Sequence, residues 1–206
     1  MKLIFWLEEL SAQAMLENLI PRLFMHETIP EKLVIEYHYF QGKSDLEKNI
    51  QRKIVHYRIP QDYKIAHLIL RDQDAGDCYT IKQNLLTLLP ANYHINIKVR
   101  IACRELETFY LADLSAVSKG LNIPNLPQLQ NNRIYRNPDS KSSPSDLLDK
   151  LSKGKYQKVS GSREIGRYLD IYNTRSNSFY QLVIGIKDLL IHVGIPLTDL
   201  LELQKN

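Results

Sequence analysis

The sequence predicts an α/β fold: a mostly parallel sheet of about four strands flanked by helices, with a C-terminal helical segment. Two observations predict it. Short runs rich in branched and aromatic residues alternate with stretches whose apolar residues recur at helical spacing. The composition, 44% hydrophobic and 24% charged over 206 residues, is that of an ordinary globular protein with one sizeable domain or a domain and an appendage.

The elements follow in order. Lys2–Leu7 reads as a strand, and Ser11 is placed to cap the helix after it. Met15, Leu16, Leu19, Ile20, Leu23 and Phe24 give that helix one apolar face, with a kink expected at Pro21. Residues 33–40 form a second strand, broken by Gly42. Ser44 or Asp45 then caps a helix with the stripe Leu46, Ile50, Ile54 and Tyr57, ended by Pro60. Residues 64–71 are a third strand, running into Asp72-Gln73-Asp74-Ala75-Gly76-Asp77 and a helix with Ile81, Leu85, Leu88 and Leu89. Residues 94–103 alternate apolar with Asn96, Lys98 and Arg100, as a strand wetted on one side near an edge would. Residues 105–113 turn helical. Residues 122–145, with Pro124, Pro127, Pro138 and Pro144, read as a long loop, and residues 176–193 as the clearest terminal helix. These readings divide the chain into an α/β core over residues 1–121, a basic polar insertion over 122–160, and C-terminal helices over 161–206 that pack on the core as one domain.

Several classes are excluded. No apolar run approaches a membrane span, and the N-terminal run lacks the basic flank of a signal peptide. Cys78 and Cys103 are far apart with no CxxC partner, which fits buried free thiols in a reducing cytoplasm. His26, His56, His94 and His192 share no ligand spacing, and His38 and His67 fall inside strands, so a histidine metal site is not expected. Neither a P-loop nor a nucleophile elbow occurs.

The net charge of +4 is unevenly placed. Residues 130–167 carry nine basic residues against four acidic ones, while residues 1–129 balance at 15 against 15. That segment reads either as a solvated loop or as a surface for a polyanion. Within it, Lys158 precedes Ser160-Gly161-Ser162-Arg163, which reads either as a plain capped turn or as a helix start able to hold phosphate.

The chemistry-bearing pattern is acidic. Strand one ends in Glu8-Glu9, strand three in Asp72 and Asp74, and strand four in Glu105 and Glu107. In an open α/β sheet such ends converge on one rim where ligands bind. Crowded carboxylates repel and take up protons unless a cation neutralises them, and oxygen ligands of this kind suit Mg²⁺ or Mn²⁺. A pair of such metal ions can activate water and stabilise the leaving oxygen of a phosphodiester. Acids after a strand also cap helices, and Asp72 or Asp77 fits that plainer role as well.

Four motifs, Leu7-Glu8-Glu9-Leu10-Ser11-Ala12, the stretch from Leu70 through Asp72 and Asp74 to Cys78, the stretch from Cys103 through Arg104, Glu105 and Glu107 to Asp113, and Lys158-Val159-Ser160-Gly161-Ser162-Arg163, resemble an uncharacterised bacterial domain-of-unknown-function family, number 4276, with a Toprim-like fold. The resemblance covers nearly the whole chain. It implies Glu8, Asp72 and Asp74 as metal-holding catalytic carboxylates, Glu105 as a further catalytic member, and Arg71, Arg104, Lys158, Ser160, Ser162 and Arg163 on the substrate. Toprim proteins carry Gly after the Glu, where this chain has Glu9, so Glu8 and Glu9 compete for the role, with Glu8 in the matching position. Leu10 also replaces a common Pro. The implied activity is a Mg²⁺- or Mn²⁺-dependent nuclease or related phosphoryl-transfer enzyme acting on nucleic acid. The implied partner is an ATPase of the ABC or AAA type in anti-phage defence. A non-catalytic Toprim-like subunit regulating such an ATPase is the alternative.

Overall fold

The computed structural model describes residues 1–24, 28–57, 64–90 and 96–195. Four strands form one sheet: β1 (Lys2–Leu7), β2 (Val34–Tyr39), β3 (Ile65–Asp72) and β4 (Ile97–Ala102), in the order β2-β1-β3-β4. Every pairing is parallel, as expected. Between the strands lie α1 (Leu10–Leu19), α2 (Lys43–Val55) and α3 (Cys78–Thr87). After β4 come α4 (Glu107–Leu111), α5 (Leu114–Gly120), α6 (Pro144–Ser152), α7 (Lys158–Gly166) and α8 (Asn177–His192).

Both faces of the sheet are buried, which is why β1 and β3 read as near-continuous apolar runs. Leu3, Phe5 and Leu7 share one face with Ala66, Leu68 and Leu70 and pack under α1, α4, α5 and α8. Ile4, Trp6, Ile69 and Val99 share the other face with Leu46, Ile50 and Ile54 of α2 and Leu85 of α3. β4 lies at an edge, as its alternation predicts. Its polar face is not simply wet: α8 crosses it, and Arg100 Nε donates to the Gln181 carbonyl at 2.6 Å. Gly185 makes room for that guanidinium, since a Cβ there would lie 2.5 Å from Nε.

Local chemistry differs from expectation at four points. Helix α1 begins at Leu10, so Ser11 is buried in its first turn and caps nothing. The helix ends before Pro21, which sits in a 3-10 turn over Ile20–Leu23 and kinks no continuing helix. Gly42, at φ 90°, takes the cap position of α2, and the Asp45 carboxylate reaches back to the Gln41 N–H at 2.9 Å. Ser160 to Arg163 lie within α7 rather than opening it, because Gln157 precedes the first helical residue, Lys158. The expectation for Pro60 and the first residues of the predicted fourth strand, 94 and 95, lies outside the described residues.

Candidate functional site

Strand order locates the site before any side chain does. From β1 the chain crosses to β2 on one side, and from β3 it crosses to β4 on the other. Connections therefore diverge between β1 and β3, leaving a crevice at their carboxyl ends, where open α/β sheets bind ligands. Glu8 is the first residue past β1, and Asp72 is the last of β3.

These two meet. The Glu8 N–H extends the ladder to the Leu70 carbonyl at 3.1 Å, and Glu8 Oε2 accepts the Asp72 N–H at 3.0 Å. Burial raises the pKa of Glu8 from its ordinary value, partly offset by that hydrogen bond and by Arg71. Burial, and then the charges of Glu8 and Glu107, push Asp72 well above its ordinary value. Two carboxyl groups that resist ionisation side by side form a place where a cation is favoured.

The remaining residues take distinct places. Asp74 has a left-handed backbone, φ 53°, and its Oδ2 accepts from Lys43 Nζ at 2.7 Å. Arg104, also left-handed at φ 61°, braces that turn: its guanidinium donates to the Asp74 carbonyl at 2.8 Å. Arg71 is buried, reaching Glu47 at 3.1 Å and the Asp72 carbonyl at 2.9 Å, so it fixes the end of β3 from beneath. Lys158, the first residue of α7, forms a short ion pair with Glu9 and lies in the field of Glu107 and Asp72.

Four further residues named from the sequence take these places. Glu105 accepts the Ser145 N–H at 2.7 Å and so secures the start of α6. Ser162 is fully buried, donates to the Lys158 carbonyl at 2.5 Å, and lies 3.2 Å from Tyr156 Oη. Ser160 and Arg163 are exposed on α7. Glu107, rather than Glu105, is the strand-four acid whose charge reaches Asp72. It is buried, accepts from Tyr156 Oη at 2.8 Å, and burial raises its pKa. Beside it Tyr110 is fully buried, and burial pushes its hydroxyl well above its ordinary value.

A model of the family described as Domain of unknown function (DUF4276) matches residues 7–187. The chain belongs to that family. No curated protein and no solved structure matches it. The DUF4276 match opens at Leu7, one residue before Glu8, and takes in Asp72, Asp74, Glu107 and Lys158.

As a metal site the crevice is sparse. Among the described residues, no three His, Cys, Asp or Glu side chains converge closely enough to hold an ion. The Glu8–Asp72 pair nevertheless suits Mg²⁺, which commonly takes one or two carboxylates and fills its other positions with water or substrate phosphate. Lys43 is the group that sequence reading missed, because its pairing with Asp74 spans 31 positions between helix α2 and the turn after β3. Away from the crevice, His67 is buried and accepts from the Trp6 indole at 3.1 Å, while His38 stacks on Trp6 at 4.6 Å. Both are sheet-packing residues. Cys103 is half-buried as a free thiol, whereas Cys78 is exposed at the start of α3. No helix among the described residues is long and apolar enough to cross a membrane.

Proposed function

We propose that the protein is a Toprim-type, Mg²⁺- or Mn²⁺-dependent phosphoryl-transfer enzyme acting on nucleic acid, a nuclease in its simplest form. The observation that carries this reading is the meeting of Glu8 and Asp72 at the switch point, both resisting ionisation. When bound, the metal supplies Lewis-acid activation of water or of a phosphoryl oxygen. Glu8 and Asp72 are the ligands, with Asp74 within the same rim. Arg71 and Arg104 hold the turn that presents Asp72 and Asp74. Lys158, with the exposed basic residues of 130–167, supplies salt-sensitive affinity for a phosphate backbone.

The test is incubation with single- and double-stranded DNA and RNA, with Mg²⁺ or Mn²⁺, of wild type, Glu8→Gln and Asp72→Asn. Metal-dependent cleavage lost in both variants supports the reading. Equal inertness of all three, with and without an ABC- or AAA-type ATPase partner, sinks it.

One observation favours a second reading. Asp74 and Glu9 are already neutralised by Lys43 and Lys158, as in a crevice that no longer holds an ion. On that reading the chain is a non-catalytic subunit that docks on such an ATPase and regulates it. Absence of any Asp72-dependent stabilisation by Mn²⁺ would select it.

A further inference from the structure

Lys43 stands at the crevice through a chain of fixed contacts. The Gly42 N–H donates to the Glu8 carbonyl at 3.1 Å, tying the start of α2 to the end of β1. Lys43 follows as the first residue of that 13-residue helix, and its ammonium bridges to Asp74 past the end of β3 at 2.7 Å. It therefore spans both sides of the crevice.

The neighbouring cations are committed differently. Arg71 is buried and locked between Glu47 and the Asp72 carbonyl, and Arg104 holds the Asp74 carbonyl. The Lys43–Asp74 pair is open to solvent on both partners, with side chains 49% and 38% exposed. Such a pair is weak and readily exchanged. A lysine stem is also long and flexible enough to swing its head to a new anion, and the N-terminal end of α2 favours negative charge beside it.

We infer that Lys43 is an exchange group of this site: it neutralises Asp74 in the metal-free protein and passes to a backbone phosphate of nucleic acid when a divalent cation on Glu8 and Asp72 takes over that neutralising charge. This rests on the metal-dependent reading above. It makes two effects of one substitution opposite in sign. Removing Lys43 removes a competitor of the metal and, at once, a partner of the substrate.

The experiment compares wild type, Lys43→Met and Lys43→Arg, with Lys98→Met as a control that deletes a charge paired to the distant Asp188. Mn²⁺ binding is followed by calorimetry. Binding of a short DNA duplex and a short single-stranded RNA is followed in Ca²⁺ over a range of salt. Lys43→Met is expected to bind Mn²⁺ about 2- to 5-fold tighter at low salt, the scale of one exposed ion pair. The same variant is expected to bind nucleic acid more weakly, with the log–log salt slope reduced by about 0.9 on duplex or about 0.7 on single strand. Lys43→Arg and Lys98→Met should follow wild type. Unchanged or weaker Mn²⁺ binding by Lys43→Met, an unchanged salt slope on a probe that binds, or failure of both probes to bind overturns the exchange alone. Failure of wild type to bind Mn²⁺ overturns both the exchange and the reading beneath it.

Discussion

The Asp72 N–H donates to Glu8 Oε2 at 3.0 Å, so the side chain that leaves β1 is held by the backbone that ends β3. The contact aligns Glu8 beside the end of β3. Glu8→Gln keeps an acceptor for that N–H but removes the charge. It should fold as wild type does, with melting temperature little changed, while Mn²⁺ affinity falls by at least about tenfold, or roughly 1.4 kcal/mol. Calorimetric titration beside a thermal melt checks both halves, and a Gln variant with wild-type Mn²⁺ affinity would remove Glu8 from the ligand set.

Asp72 gives the metal-free protein a pH signature. Its pKa in the fold lies above the unfolded value because of burial and the Glu8 and Glu107 charges. Between those two values the native state holds a proton that the unfolded chain has lost, so stability falls as pH rises through the window. In EDTA, urea midpoints should therefore decline from the ordinary carboxylate range upward. Asp72→Asn should flatten that decline, and saturating Mn²⁺ should oppose it in wild type only. A wild-type profile that matches Asp72→Asn throughout in EDTA would contradict the coupling.

Much of this was legible beforehand, for definite reasons. A strand buried on both faces has little choice of residue, so β1 and β3 announce themselves in Ile4–Trp6 neighbours and in Leu68, Ile69 and Leu70. Parallel order then puts Glu8 and Asp72 on one rim. Glu105 and Glu107 show where sequence stops: residues two apart at a helix start face different ways, and spacing does not reveal which faces Asp72. Only the placement of α6 and Tyr156 separates them, Glu105 capping the one and Glu107 accepting from the other. Lys43 was hidden for the same reason, being a partner chosen by tertiary structure.

Helix α7 delivers Lys158, and a glycine sets how close that helix lies. A Cβ on Gly166 would stand 2.8 Å from the Met15 carbonyl oxygen of α1, an atom fixed by the helix backbone. Gly166→Ala must therefore push α7 from α1, at about 1–3 kcal/mol, the usual cost of overpacking. Chemical denaturation measures it. A neutral or stabilising result would mean that the two helices can separate freely, and that their close approach does not position Lys158.

His67 offers a second pH test, independent of the crevice. Its ring is buried under the Trp6 indole and burial lowers its pKa from 6.5 to about 4. The unfolded chain gains a proton on this ring near pH 6.5, whereas the fold refuses it until about pH 4. Stability is therefore full above the unfolded value and is lost as pH falls through the window, by on the order of 3 kcal/mol. His67→Gln retains an acceptor for the indole and does not titrate. The difference between wild type and variant in urea-derived stability should shift by that amount between about pH 7 and about pH 4, in favour of the variant at low pH. Parallel curves across the range would show that the ring protonates in the fold as easily as in solution.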